Sequence, residues 1–255
     1  MSDQPLLQLQ GVSKRFGAVQ ALSKVDFTAS IGEVMALVGD NGAGKSTLIK
    51  CIAGIYPTDE GEIHFDSKRV HISAPRDSAA LGIEVVYQDL ALADNLDVVA
   101  NMFLGRERIK SPWRLDEESM EQACIDTLNS LSVSTLRSVR TPVAGLSGGQ
   151  RQAIAVAKAV MWNSRLVILD EPTAALGVAQ TRQVLDLVKR LAAKGLAVIL
   201  ISHNLHDIFE VADRITVLRL GHKVDEFVSA QTNQQEVVTA ITAGKIQHVP
   251  GMIES

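Results

Sequence analysis

Apolar and polar positions along the chain follow two patterns. Through about residue 90 they alternate. Leu7 and Leu9 are separated by polar neighbours, and a turn is predicted over Lys14-Arg15-Phe16-Gly17. Val25 and Phe27 repeat the alternation up to Ile31-Gly32. Glu62-Ile63-His64-Phe65 and Val70-His71-Ile72, separated by Asp66-Ser67, predict a second pair. Period two with one apolar side is the mark of antiparallel strands covering a core on one face. Val34-Met35-Ala36-Leu37-Val38, Leu166-Val167-Ile168-Leu169 and Leu196 to Ile201 are instead apolar without a break. Runs of that length predict parallel strands buried on both faces. Ile83 to Tyr87 and Ile215 to Leu218 add two more strands, the former delivering Gln88 at its end.

Helical spacing fills the intervals. Thr47 to Ala53 predicts a helix with Gly54 as its stop, and Pro75 opens a short one ending at Gly82. Leu96, Val98, Val99, Met102, Phe103 and Leu104 predict another, followed by Asp116 to Leu131 with acidic residues at its start, as the helix dipole favours. Between these two, Ser111-Pro112-Trp113 reads as a loop with Trp113 as its anchor. Further helices are predicted from Ser147 to about Trp162, from Val178 to Lys194 with Gly195 as the stop, and from Leu205 to Ala212. Asn233 and Glu236 form a capping-box pattern ahead of Val237 to Ile241, and Lys245 to Ser255 reads as a loose tail. The expected class is α/β in a single domain, 1–255. Residues 1–90 and 142–228 form the core with its antiparallel layer, 91–141 a helical insertion, and 229–255 a terminal helix and tail.

The stretch with the clearest chemistry follows the first unbroken apolar run. Gly39-Asp40-Asn41-Gly42-Ala43-Gly44-Lys45-Ser46 fits the phosphate-binding loop, Gly-x4-Gly-Lys-Ser/Thr, between a strand and a helix. Glycines at 42 and 44 can take backbone angles that point successive N–H groups inward, and the helix N-terminus adds a favourable dipole. Lys45 is expected to pair with the β- and γ-phosphates and Ser46 to offer a hydroxyl to Mg²⁺. The expected phosphate cradle is therefore Gly39, Asn41, Gly42, Ala43, Gly44, Lys45, Ser46 and Thr47 in a P-loop NTPase core. Asp170 and Glu171 end another unbroken apolar run, at the edge where α/β sheets bind ligands. Asp170 is expected to hold Mg²⁺ and Glu171 to polarise the attacking water.

Composition narrows the setting. Of 255 residues, 46% are hydrophobic and 21% charged, which excludes a disordered chain. A net charge of -4 gives no reason to expect nucleic acid as a partner. No apolar run approaches the ~18 residues that span a bilayer. The start, with Asp3 and alternating Leu6-Leu7-Gln8-Leu9, does not read as a signal peptide. Cys51 and Cys124 suggest no disulfide framework, and a reduced, cytoplasmic setting is expected.

Leu146-Ser147-Gly148-Gly149-Gln150, placed shortly before Asp170-Glu171-Pro172-Thr173, resembles the signature motif of the ATP-binding cassette (ABC) family. The resemblance covers nearly the whole chain. It implies a RecA-like core and a head-to-tail homodimer in which Ser147, Gly148, Gly149 and Gln150 act in trans on the partner's nucleotide. It implies adenine stacking on Phe16, with Val19 nearby. Gln88 would contact Mg²⁺ and water, and His203 the γ-phosphate. One position departs from the family: Ala174-Ala175-Leu176 is followed by Gly177 where an aspartate is usual. Tyr87-Gln88-Asp89-Leu90 and Asn101-Met102-Phe103-Leu104-Gly105-Arg106-Glu107 resemble monosaccharide importers of the ribose, xylose and fructose type. That likeness implies two membrane permease subunits, an extracytoplasmic sugar receptor, and a place on the cytoplasmic face of the inner membrane. A soluble ABC ATPase acting on ribosomes or DNA and a phosphate-loop kinase are the alternatives. The former would be expected to carry paired cassettes, coiled-coil arms or basic patches. The latter would leave Ser147-Gly148-Gly149-Gln150 unexplained.

Overall fold

A computed structural model describes residues 4–133 and 136–244. The tail predicted from Lys245 lies outside the described residues. The chain begins with β1 (Leu7–Phe16), β2 (Val19–Ala29) and β3 (Val34–Val38), then α1 (Lys45–Ile52). There follow β4 (Glu60–Phe65), β5 (Lys68–Val70), α2 (Pro75–Ala80) and β6 (Ile83–Val86). The middle of the chain holds α3 (Val98–Phe103), β7 (Ile109–Ser111), β8 (Arg114–Leu115), α4 (Glu117–Ser130) and α5 (Gly148–Val160). The remainder is β9 (Leu166–Asp170), α6 (Val178–Ala193), β10 (Ala197–Ile201), α7 (Leu205–Val211), β11 (Arg214–Arg219), β12 (His222–Val228) and α8 (Gln234–Ala243).

Two sheets organise these elements. The alternating segments form an antiparallel sheet ordered β2-β1-β4-β5. The unbroken apolar runs form the centre of a six-stranded sheet ordered β12-β11-β3-β10-β9-β6, parallel except for β12. Burial on both faces explains the unbroken runs. Val34, Ala36 and Val38 face one apolar core, shared with α5, α6 and α8. Met35 and Leu37 face the other, where α1 packs with the antiparallel sheet through Leu48, Ile52, Leu9 and Phe27. The insertion adds Met102, Phe103, Cys124 and Leu128 to the first of these cores.

The structure departs from the sequence reading at four places. The first hairpin turns at Gly17-Ala18, with Lys14 to Phe16 still in β1. β5 stops at Val70, leaving His71 and Ile72 outside the strand. The segment read as a loop anchored by Trp113 is a hairpin, β7–β8, and Trp113 at its tip is 97% exposed and anchors nothing. β12 was not expected. Lys223, Asp225 and Glu226 dilute its apolar pattern because it is a half-buried strand at the sheet's edge. At α8, Asn233 Oδ1 accepts from Glu236 N (3.0 Å), as the cap predicts, while the Glu236 carboxylate accepts from Thr232 Oγ1 (2.6 Å).

Both cysteines are fully buried and unbridged. Burial pushes the Cys51 thiol up to about 11 and Cys124 to about 12. A thiol held neutral in the fold but free to ionise near pH ~8.5 when unfolded favours the folded state below that pH, and this contribution fades as pH climbs toward the folded values. Neither cysteine should therefore react with Ellman's reagent at pH 8 in the native protein, and both should react in denaturant. Labelling of either thiol in the folded chain would contradict this placement.

Candidate functional site

Three adjacent strands bring the chemistry together. Ile201 of β10 stands in register with Leu37 of β3 on one side and Asp170 of β9 on the other. The segments leaving their C-terminal ends, 39–45, 171–173 and 202–204, therefore emerge side by side, at the edge where open α/β sheets bind ligands. Between 38–41, 202–205 and α8 lies a cleft of about 540 Å³.

The phosphate loop is held by close backbone approach. Gly39 has φ 147°, and a Cβ there would stand 2.1 Å from the Leu218 carbonyl oxygen. Gly44, with φ 104°, caps α1 against Ala21 and Leu22 of β2. Lys45 Nζ donates to the carbonyls of Gly39 (2.6 Å) and Asp40 (3.0 Å), so the ammonium lies across the loop it belongs to. Burial lowers its pKa, opposed by the charges of Glu171, Asp40 and Asp170. Asn41 and Gly42 are exposed, Ala43 is buried in the core behind the loop, and Ser46 and Thr47 open the first turn of α1, with the Ser46 side exposed.

Phe16 and Val19 face each other across the end of the β1–β2 hairpin. Phe16 is 41% exposed, its ring set edge-on to Tyr56 at 5.0 Å. Lys14 Nζ stands over the same ring, 5.6 Å from its centroid. In the sequence nothing marks Tyr56, one aromatic in the run Gly54-Ile55-Tyr56-Pro57.

Asp170 ends β9, and burial raises its pKa, reinforced by the charge of Glu171 and opposed by Lys45 and Lys50. The Glu171 carboxylate is 17% exposed, and its Oε2 lies 2.9 Å from Nδ1 of His203, itself 78% exposed. Glu171 adopts φ 51°, a region L-residues rarely occupy, and its N–H is held by the Ile201 carbonyl (2.9 Å). Gln88 is exposed just beyond β6. The loop after it is wired to α3 by Asn101, a fully buried asparagine. Its Oδ1 accepts from Ala93 N (2.7 Å), and its Nδ2 is shared among the carbonyls of Ala93, Leu96 and Asp97. No periodicity marks Asn101, since it lies on the apolar face of a short helix. A polar residue inside an apolar stripe was the signal available.

Ser147 to Gln150 begin α5 in a reciprocal cap. Ser147 Oγ accepts from Gln150 N (3.3 Å), and Ser147 N donates to Gln150 Oε1 (2.9 Å). Gly148 is followed by buried Gly149, whose lack of a side chain lets α5 approach Gln180 of α6. Arg151 fixes the preceding turn through the carbonyls of Leu146 and Ala144 and the Asp94 carboxylate (3.0 Å). Gly177 stands at the N-cap of α6.

The oxygen donors available suit a small hard cation. Asp170 is half-buried with its charge disfavoured, the Ser46 hydroxyl is exposed at a helix start, and Gln88 carries an amide oxygen. Among the described residues no three His, Cys, Asp or Glu form a metal cluster. Mg²⁺ is commonly held by one or two carboxylates together with phosphate oxygens rather than by an all-protein cage.

A Gly-rich loop on a parallel sheet, with a strand-end carboxylate pair beside it, defines a phosphate-loop nucleoside triphosphatase. The chain belongs to the ABC transporter family, whose model matches residues 22–174. It is 43% identical to the fructose import ATP-binding protein FrcA of Rhizobium meliloti over 252 residues, 96% of each chain. It is 45% identical to the xylose/arabinose import ATP-binding protein XylG of Sulfolobus acidocaldarius, covering 96% of this chain and 98% of that one. The ribose import ATP-binding protein RbsA of Clostridium tetani is 37% identical, and the chain spans 49% of its length. Among solved structures, the ADP conformation of the cassette MJ1267 superposes with a TM-score of 0.79 at 27% identity, covering 93% of this chain and 95% of that one. A dimeric cassette, MJ0796, bound to ADP and Pi, gives 0.71 at 25% identity, covering 88% and 98%.

Proposed function

We propose that this chain is the ATP-hydrolysing subunit of an importer that takes a monosaccharide across the cytoplasmic membrane. The observation that carries the reading is the meeting of the phosphate loop with the Glu171–His203 pair, in a chain that matches sugar-import ATPases along nearly their full length. Phe16, beside Val19, stacks on the adenine. The backbone from Gly39 to Thr47 cradles the phosphates, and Lys45 exchanges its carbonyl partners for β- and γ-phosphate oxygens. Glu171 accepts the proton of the attacking water, and His203 fixes the γ-phosphate while donating to Glu171. Ser46, Asp170 and Gln88 would hold Mg²⁺, which offsets negative charge on the phosphates when bound. Ser147 to Gln150 act on the nucleotide of a second copy, a reading supported by the likeness to a dimeric cassette.

In this reading two copies close on ATP and work against two permease subunits at the inner face of the membrane, with an extracytoplasmic receptor supplying the sugar. Among the described residues no helix is long and apolar enough to cross a membrane. The segment 91–141 carries the motion outward, and Asn101 makes the loop after Gln88 move together with α3. The test is reconstitution of the chain with its permease and receptor in proteoliposomes, measuring phosphate release against a panel of fructose, xylose, arabinose and ribose. One of these sugars should raise turnover several-fold. Failure of every monosaccharide to do so, in a complex that hydrolyses ATP, would overturn the transport assignment while leaving the ATPase in place.

A further inference from the structure

Asp207 is a buried carboxylate that the reaction outlined above does not use. It lies in the first turn of α7 and is 4% exposed. An acid at this position of a helix ordinarily accepts from the backbone N–H of the N-cap residue. Here the N-cap is Asn204, and its N–H is donated to Ser202 Oγ instead (3.0 Å). Both Asp207 oxygens are thereby free for other donors. Oδ2 accepts from Thr173 Oγ1 at 2.7 Å, and Oδ1 from Asn204 Nδ2 at 2.9 Å.

The two donors sit on different segments. Thr173 follows Glu171 by two residues, with Pro172 between them restricting the backbone. Asn204 follows His203 directly, and its Oδ1 accepts from His206 N (3.1 Å). One carboxylate thus joins the segment carrying the catalytic base, Glu171, to the segment carrying the histidine. Those two groups meet at 2.9 Å, and Glu171 does so from a backbone conformation it would not hold unaided. No cation pairs with Asp207 among the described ion pairs, so its burial is compensated only by hydroxyl and amide donors. That is a costly way to gain stability alone and a specific way to fix geometry.

We propose that Asp207 is a positioning residue for hydrolysis: by holding Thr173 and Asn204 on its two oxygens, it sets the approach of Glu171 and His203. The proposal rests on the reading of this site as an ATPase. Thr173→Val keeps the shape of the side chain and removes its donor, Thr173→Ser restores the donor, and Asp207→Asn removes one acceptor. Thr173→Val and Asp207→Asn should lower kcat for MgATP by about tenfold with KM and nucleotide Kd within twofold, as misplaced reacting groups do. Thr173→Ser should recover most of the loss. The ¹⁵N signals of the His203 ring, assigned with His203→Ala, should move in Thr173→Val and Asp207→Asn but not in Thr173→Ser.

Unchanged kcat in Thr173→Val, a parallel loss of affinity, equal damage from Thr173→Ser, or an unmoved His203 signal would each overturn the proposal. If Asp207→Asn fails to fold, the two Thr173 variants still decide it. If the wild-type chain hydrolyses no ATP, the ATPase reading fails on its own, and the His203 signals alone judge the positioning role.

Discussion

Replacing Glu171 by glutamine should reduce ATP turnover by about 1000-fold while MgATP affinity stays within threefold. Glutamine has the shape of glutamate and can still accept from the His203 ring, so the 2.9 Å contact and the half-buried setting survive. It cannot take a proton at neutral pH, and a positioned general base contributes roughly 100- to 10,000-fold. In the proposed reading binding rests on the phosphate loop and Phe16, neither of which changes, so the loss should fall on kcat alone. Phosphate-release kinetics measure the first quantity and titration with a fluorescent nucleotide the second. Gel filtration with and without MgATP adds a third reading. A variant that binds without hydrolysing should accumulate as a dimer, since the closed state then has no route onward. Hydrolysis at the wild-type rate would remove Glu171 from the mechanism.

The second large effect is expected at Gly39. A Cβ there would stand 2.1 Å from the Leu218 carbonyl oxygen and 3.0 Å from the Ala43 Cβ, at a φ of 147° that L-residues rarely adopt. The obstacle is backbone of β11 rather than the tip of a side chain, so it cannot swing aside. Gly39→Ala should therefore cost at least about 3 kcal/mol of stability, from clash and backbone strain together, and should abolish nucleotide-induced protection against heat. Gly42→Ala makes the control. Its φ is 81° but a Cβ would enter open space, so only the strain of about 1–2 kcal/mol applies. Urea unfolding of both variants separates the two contributions. Equal losses at the two positions would mean that the contact with β11 carries no weight.

How much of this could be seen beforehand differs from element to element, for physical reasons. β3, β9 and β10 fall within a residue of where the apolar runs put them, because burial on both faces leaves no polar position to blur the ends. The phosphate loop and the Asp170-Glu171 pair were legible because their spacing is local and their neighbours are strand and helix. β12 and the β7–β8 hairpin were not, being exposed or half-exposed segments whose pairing depends on partners rather than on their own pattern. Asp207 and Thr173 are 34 positions apart, and no run of sequence says that they touch. The same holds for Phe16 against Tyr56, which only the closing of the antiparallel sheet over α1 brings together.

The strand that feeds the phosphate loop also separates two cores. Its even-numbered residues, Val34, Ala36 and Val38, pack toward the helices α5 and α6, whereas Met35 and Leu37 pack toward α1 and the antiparallel layer. A rearrangement among the helices therefore presses on one set of side chains and leaves the other set in contact with what it already touches. The sheet acts as a mechanical partition. Helices on one side can be displaced during a working cycle while the shape of the phosphate cradle, anchored from the other side, is kept.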